Sequence, residues 1–313
     1  MTKAIGFSAF GGTDVLHPIE IDLPAPGPGR VRIAVRAVGV NPVDHKLRSG
    51  TLTDLFPVTF PHVTGFEVAG VVEAVGEGVT RWTPGDEVFG PTGGGGYAEH
   101  VLAEAADLAR KPAALGWEQA AAIPVAAETS WRALDLLGVE SGHTLLVHGA
   151  AGGVGTVLLQ FARSRGIRVI GTASEANHAR LRELGAIAVT YGDGLAERVR
   201  AVAPDGVDRV LDAAGQGDVL PLSIELTGGA QRVLTIADWE GAATYGVRFS
   251  AGAETVHQHG PALAAALALH EEGTLRLPLH QVFPLEEAAQ AHRVSEGGHV
   301  RGKIVLTVGR GRG

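Results

Sequence analysis

The stretch Val147-His148-Gly149-Ala150-Ala151-Gly152-Gly153-Val154-Gly155-Thr156-Val157-Leu158-Leu159-Gln160 decides the fold. Upstream of it, Thr144 to His148 reads as a short strand with an apolar centre. Downstream, Val154, Val157, Leu158 and Phe161 recur at helical spacing, on a helix expected to run to about Arg165. Arg168 to Gly171 then reads as the next strand. Strand, glycine turn, helix and strand in that order form the opening unit of a dinucleotide-binding fold. The turn lets backbone approach a pyrophosphate, while the helix N-terminus offers unpaired N–H groups and the positive end of its dipole. Against the pattern G-x-G-x-x-G, the first position falls on Ala150, the second on Gly152 and the third on Gly155. The phosphate-contacting candidates are therefore Ala150, Ala151, Gly152, Gly153 and Val154.

Counting onward selects the cofactor. A site that prefers NADH carries an acidic residue about 20 positions further on, where it holds the ribose 2′-hydroxyl. Here Ser174 stands nineteen residues after Gly155, in Ile170-Gly171-Thr172-Ala173-Ser174. A small hydroxyl leaves room for a 2′-phosphate and can donate to it, so NADPH is the expected cofactor. Asn177, His178, Arg180 and Tyr191 lie close in sequence and are expected to complete that pocket; Ser174 also reads as the cap of the following helix.

Outward from this segment, two textures divide the 313 residues. The first 120 or so read as short strands punctuated by Gly and Pro: Val31 to Val38, Val68 to Val75, Glu87 to Phe89 and Tyr97 to Leu102. That texture suggests a small barrel-like β domain. From about Pro124, strands and helices alternate: helix Thr129 to Leu137, strands Ala188 to Tyr191, Asp208 to Leu211 and Arg232 to Ile236, with helical segments between. This is the rhythm of a doubly wound parallel sheet. The tail reads as strand Leu275 to Leu279, helix Pro284 to Glu296 and strand Lys303 to Val308, the β domain resuming after an inserted α/β domain.

Composition narrows the function. Lys and Arg number 26 against 34 Asp and Glu, a net charge of -8, which speaks against a surface built to coat nucleic acid or anionic membrane. Cysteine is absent, which removes thiolate nucleophiles and every cysteine-based metal site. No secretory signal or uninterrupted apolar stretch of spanning length is visible, so a soluble, cytoplasmic protein is expected. Gly297 to Lys303 resembles the start of a phosphate loop, but Ile304 follows where Ser or Thr is required, and the pattern is rejected.

Taken together, several motifs carry a resemblance: Gly39-Val40-Asn41-Pro42-Val43-Asp44, Gly65 to Val72, Gly85 to Gly90, the Ala150 to Gly155 turn and Gly302 to Leu306. End to end, the chain resembles the zinc-independent quinone oxidoreductase, or zeta-crystallin-like, branch of the medium-chain dehydrogenase/reductase superfamily. That resemblance implies a GroES-like catalytic domain (1–123 and 268–313) split around a Rossmann NADP(H)-binding domain (124–267), with the active site in the cleft between them. The zinc enzymes of the superfamily carry Cys in the Asn41 to Asp44 region, His at Phe66 and a second Cys near Ala126 and Ala127; here only Glu67 survives. One carboxylate does not hold a catalytic zinc, and no metal site is expected.

The resemblance also assigns roles. Asn41 is the candidate polar group near the nicotinamide or substrate, with Asp44 either orienting it or structural. Thr129 sits where the family contacts the nicotinamide end. Ala214 and Gly215, Ile236 and Ala237, and Phe249 and Ser250 follow later strands and are expected to line the cofactor groove; Arg301 and Lys303 are further cofactor candidates. The loops 50–61 and 238–252, with Trp239, Tyr245 and Phe249, are expected to shape an apolar pocket. With no Lewis acid to polarise a carbonyl, hydride donation to a small conjugated carbonyl, such as a quinone, is the expected reaction. Two alternatives stay open: an enone or enoyl-thioester reductase, and an NADPH-binding protein without turnover. Against the first, Arg48 to Leu52 lacks the catalytic Tyr of the mitochondrial-type enoyl reductases. A homodimer is the expected assembly.

Overall fold

A computed structural model describes residues 1–216, 219–250 and 255–309. In chain order the strands and helices are β1 (Thr2–Gly6), β2 (His17–Ile21), β3 (Arg30–Val40), α1 (Pro42–Ser49), β4 (Glu67–Val75), β5 (Glu87–Pro91), β6 (His100–Glu104), β7 (Ala109–Arg110), α2 (Trp117–Ala121) and α3 (Pro124–Leu137). There follow β8 (Thr144–His148), α4 (Gly153–Ser164), β9 (Arg168–Thr172), α5 (His178–Glu183), β10 (Ile187–Val189), α6 (Leu195–Val202), β11 (Arg209–Asp212), α7 (Val219–Thr227), β12 (Val233–Thr235), α8 (Trp239–Tyr245) and β13 (Arg248–Phe249). The chain closes with α9 (His259–Glu271), β14 (Leu279–Pro284), α10 (Ala288–Glu296) and β15 (Lys303–Thr307).

Two compact units emerge. One comprises Met1–Ala126, His259–Glu271 and Leu277–Gly313; the other Ala127–Gln258 and Glu272–Arg276. The sequence-based ranges differ mainly in helix α9, which groups with the first unit.

In the first unit, among the described residues, the main sheet runs β14-β15-β3-β4-β5-β7, with β6 also pairing β3. Strand β3 is central because its pattern alternates: Val31, Ile33 and Val35 are buried, while Arg30, Arg32 and Ala34 between them are half-buried. Its buried face meets Val68, Val72, Val88, Phe283, Ile304 and Leu306 in one core. Register then fixes which ends meet. Val38 pairs with Val68 on β4, and Val40 pairs with Ile304 on β15. The last residue of β3 and the first residues of β4 and β15 therefore share one end of the sheet. Helix α1 begins at that end because Asn41-Pro42-Val43-Asp44 is a start signal: extended Asn41, Pro at the first helical position, and an acid whose carboxylate accepts the Asn41 N–H at 2.7 Å.

The second unit carries the expected parallel sheet. Its strand order is β10-β9-β8-β11-β12-β13, every pair parallel. The order reverses beside β8, between β9 and β11, the arrangement that opens a crevice at the carboxyl ends of the strands. The centres of strands β8, β9, β11 and β12 are apolar and buried, as in strands covered on both faces, with polar residues confined to the strand ends.

Two segments depart from expectation. Leu275 to Leu279 is not a strand; β14 begins at Leu279. The Arg276 N–H and C=O are instead taken by the Gln160 side chain, at 2.7 and 2.8 Å, so that segment has no ladder to complete. Within 238–252, expected as loop, Asp238 caps helix α8 by accepting the Gly241 N–H, and Gly246 ends it in left-handed conformation. Residues 251–252 of that loop lie outside the described residues.

Buried histidines give the fold a pH dependence. Burial pushes His148 down to about 4 and, helped by the nearby Arg48 charge, His292 down to about 3. Below pH 6.5 the unfolded chain takes up protons that these native rings refuse, so stability falls as pH drops toward 4. Burial raises Asp44 to about 6, and this works in the opposite direction between pH 6 and 3.8. His45 and His62 are also held down by burial, so the lowered imidazoles outweigh the one raised carboxyl and the net effect is a loss of stability as pH falls. The thermal midpoint should therefore decline steadily from pH 6.5 to 4.5; a flat profile there would mean the native rings titrate normally.

Candidate functional site

In the second unit, the turn between β8 and α4 divides its work among three glycines. Gly149 has φ +75°, the left-handed conformation that makes the tight turn, one residue before the Ala150 position expected for it. Ala150 itself is fully buried, and its N–H donates to the Thr172 carbonyl at 3.2 Å. Gly155 is the packing position: a Cβ there would come within 2.6 Å of the Ala150 Cα and the Gly149 oxygen. Gly152 is different. A Cβ on it would meet nothing nearer than the Gly149 oxygen at 3.4 Å, so its side-chain direction is open. Gly152 is also the N-cap of α4, and no side chain caps that helix. Gly153, Val154 and Gly155 thus begin an uncapped helix of twelve residues, whose first N–H groups point out of the turn. These residues fit a pyrophosphate.

Neighbouring strand ends assemble around this turn. Ser174 follows β9, half-buried, and its hydroxyl accepts from Asn177 Nδ2 at 2.9 Å. His178 lies against the same loop, its Nε2 3.3 Å from the Ala173 carbonyl, and Tyr191 after β10 is 44% exposed. Arg180 donates to the Thr156 hydroxyl of α4 at 2.9 Å. On the other side of β8, buried Asp212 ends β11 and accepts the Ala214 and Gly215 N–H groups at 2.9 and 3.0 Å and the Thr235 hydroxyl at 2.7 Å. Thr235 in turn accepts the Ala237 N–H, and the Ile236 N–H bonds the Asp212 carbonyl. Phe249 ends β13, and the Ser250 hydroxyl is held by Arg132, which pairs with buried Glu128 at 2.8 Å. Thr129 is nine-tenths buried on α3, where the next residue, Ser130, donates to the Val154 carbonyl at 2.9 Å. The cofactor candidates of this unit therefore share the carboxyl end of one sheet.

The first unit holds a separate polar cluster. Asn41, Glu67 and Lys303 meet at the shared sheet end, exposed by 5%, 0% and 5% respectively. Lys303 Nζ donates to Glu67 Oε1 at 2.7 Å, to the Val40 carbonyl at 3.2 Å and to Asn41 Oδ1. Asn41 Nδ2 donates to the same Glu67 oxygen at 2.8 Å, and the Val125 N–H donates to Oε2 at 2.8 Å. Position 39 is glycine for a reason of space, since a Cβ there would overlap the Glu67 carboxyl. The structure thus places Lys303 in an ion pair inside the first unit. Arg301 is exposed, and its backbone N–H reaches His280 Nδ1 at 3.4 Å.

Asp44 sits one layer deeper. Its oxygens accept from the Asn41 N–H, the Thr64 hydroxyl at 2.5 Å, the Gly65 N–H at 3.1 Å and the Tyr97 hydroxyl at 3.4 Å. Tyr97 reaches His292 Nε2 at 3.1 Å, and Arg48 approaches His292 Nδ1 at 3.4 Å while pairing with Glu296. Asp44 therefore holds the backbone of Asn41, not its amide. The role of Glu67 was missed from sequence, where it reads as a leftover ligand; the signal was a buried-strand acid and a buried-strand Lys flanking Asn41.

Two family profiles match: an alcohol dehydrogenase GroES-like domain over residues 27–113 and a zinc-binding dehydrogenase over 184–306. A quinone oxidoreductase of Sus scrofa is 34% identical, over 98% of each chain. A pikromycin polyketide synthase component of Streptomyces venezuelae is 38% identical over 97% of this chain and 8% of its own. A mycobacterial protein solved in complex with NADPH superposes with a TM-score of 0.83 at 30% identity, over 97% and 99% of the two chains. The residues present here do not fit the zinc in the second profile's description. There is no cysteine, Phe66 precedes Glu67, and Glu67 is bound to an ammonium. Among the described residues no group of three His, Asp or Glu is placed to hold a metal. Nor is any helix among them long and apolar enough to cross a membrane. Matched over nearly its whole length, the chain belongs to the quinone oxidoreductases of the medium-chain dehydrogenase/reductase superfamily.

Proposed function

We propose that this chain is an NADPH-dependent, zinc-independent reductase that delivers hydride to a quinone or a similar conjugated carbonyl. The observation that carries the reading is the uncapped start of α4 beside the open side of Gly152. When bound, NADPH supplies the hydride. The chain supplies position: Gly152, Gly153 and Val154 hold the pyrophosphate with backbone N–H groups, with Ala150 and Ala151 shaping the turn. Ser174, with Asn177, His178 and Tyr191, receives the 2′-phosphate. Thr129, Ala214, Gly215, Ile236, Ala237, Phe249 and Ser250 line the path toward the nicotinamide, and Asn41 is the polar group at the reacting end. Charge that develops on the oxygen of a conjugated acceptor needs a hydrogen-bond donor, which an amide N–H provides. A homodimer is the proposed assembly, to be checked by light scattering.

The cofactor preference is testable at one residue. Ser174→Asp sets a carboxylate where the 2′-phosphate is received, a like-charge contact that costs roughly 1–3 kcal/mol. The ratio of kcat/KM for NADPH over NADH should fall by about tenfold or more; an unchanged ratio would place the 2′-phosphate elsewhere. Zinc independence makes a second prediction. Prolonged chelation should leave turnover intact, and metal analysis should find no stoichiometric zinc; bound zinc whose removal ends turnover would overturn it.

A second reading, an enone or enoyl thioester as acceptor, keeps its place because the CurK enoyl reductase superposes on 98% of this chain with a TM-score of 0.84 at 26% identity. Comparing kcat/KM for quinones, enones and enoyl thioesters chooses between them. NADPH binding without turnover on any of the three would make the chain a non-catalytic binding protein.

A further inference from the structure

We infer that Lys303 is a positioning residue for hydride transfer: it locks the Asn41 amide so that an N–H, never the C=O, is presented to the acceptor oxygen. The inference rests on the reading of Asn41 as the polar group at the reacting end.

The chemistry of the three side chains settles the orientation. An ammonium can only donate and an ionised carboxylate can only accept. Lys303 Nζ therefore must face Asn41 Oδ1, and Glu67 Oε1 must face Nδ2. Reversing the amide would set N–H against ammonium and C=O against carboxylate, two repulsive contacts among side chains no more than 5% exposed. Nδ2 carries two N–H groups, and Glu67 takes one; no acceptor among the described residues takes the other. The remaining N–H is also the better donor, because a charge-assisted bond at Oδ1 draws electron density from the amide nitrogen.

The frame around the amide is rigid. Asn41 follows β3, while Glu67 opens β4 and Lys303 opens β15, both paired to β3. The Asn41 N–H is fixed by Asp44, and the Val40 carbonyl takes a third bond from Lys303. Backbone and amide are thus both pinned before any ligand arrives, the preorganisation that a transition-state donor requires. A role confined to neutralising Glu67 would demand none of this geometry at Asn41.

That difference defines the test. The double variant Glu67→Gln/Lys303→Met removes the charge pair together and leaves Asn41 beside a neutral amide that can pair with either of its ends. The experiment measures kcat and both KM values with a quinone and an enone, per NADPH site titrated by cofactor fluorescence. Expected is a fall in kcat of about 10–100-fold, the usual cost of a misplaced reacting group, with NADPH affinity within about threefold of wild type. Wild-type kcat per site would overturn the inference. Should the double variant not fold, Lys303→Arg keeps the charge but moves the donor; it should still lose about tenfold in kcat, and an unchanged kcat overturns the inference as well. Asn41→Ala separates the two levels. If it turns over normally, the reading of Asn41 fails and takes this inference with it. If it is slow while the Lys303 variants are fast, only the positioning role falls.

Discussion

Lys303→Met is expected to lower the stability of the first unit by about 3–5 kcal/mol, the largest single effect foreseen for the fold. The substitution nearly preserves side-chain length but removes the cation bonded to Glu67 at 2.7 Å, and that carboxylate is wholly buried. Two neutral donors remain to it, from Asn41 and Val125, too few to replace the water it gave up on folding. Adding Glu67→Gln should recover most of the loss, because it removes the stranded charge. The measurement is urea unfolding followed by circular dichroism on the single and double variants. A single variant as stable as wild type would mean that Glu67 is protonated or hydrated in the native protein.

The second large effect is expected at the glycine turn, where two substitutions should fail in opposite ways. Gly152→Val places a branched side chain in the open direction beside the uncapped helix, where nothing of the protein itself is met before 3.4 Å. The fold should survive, while NADPH affinity drops about a hundredfold or more, equivalent to roughly 3 kcal/mol of overlap. Gly155→Ala drives a methyl group to within 2.6 Å of the Ala150 backbone. That should cost the second unit about 1–3 kcal/mol of stability, with weakened binding as a by-product. Fluorescence titration with NADPH and thermal unfolding on both variants test the pair. Full affinity in folded Gly152→Val would move the phosphate site elsewhere.

Much of the fold was legible because the chain is locally consistent. Thr144 to His148 has an unbroken apolar centre, Leu145-Leu146-Val147, and is bounded by turns, so its strand could be read to the residue. The parallel sheet followed from the repeat of strand and helix. Helix α1 was overlooked although Asn41-Pro42-Val43-Asp44 spells its start, because eight residues carry too little apolar periodicity to stand out. The strand expected at Leu275 failed for a reason no local pattern holds: Gln160, over a hundred residues earlier, satisfies the Arg276 backbone. The polar cluster was half legible. Asn41 and Lys303 were singled out separately, but the two become neighbours only through the register of β3 with β15, and register is a property of pairing rather than of either strand alone.

The bare backbone at Gly39 restricts how this sequence can drift. The Glu67 carboxyl lies across the space that any side chain at position 39 would fill. The two positions are therefore a single compartment of fixed volume shared by residues 28 apart in the chain. Growth at 39 is admissible only after shrinkage at 67, and shrinkage at 67 first removes the carboxylate from Lys303 or draws it back from the 2.7 Å contact. Each one-step route passes through a defective intermediate, so substitutions at the two sites should be strongly epistatic, and a library that randomises either one alone would report both as immutable.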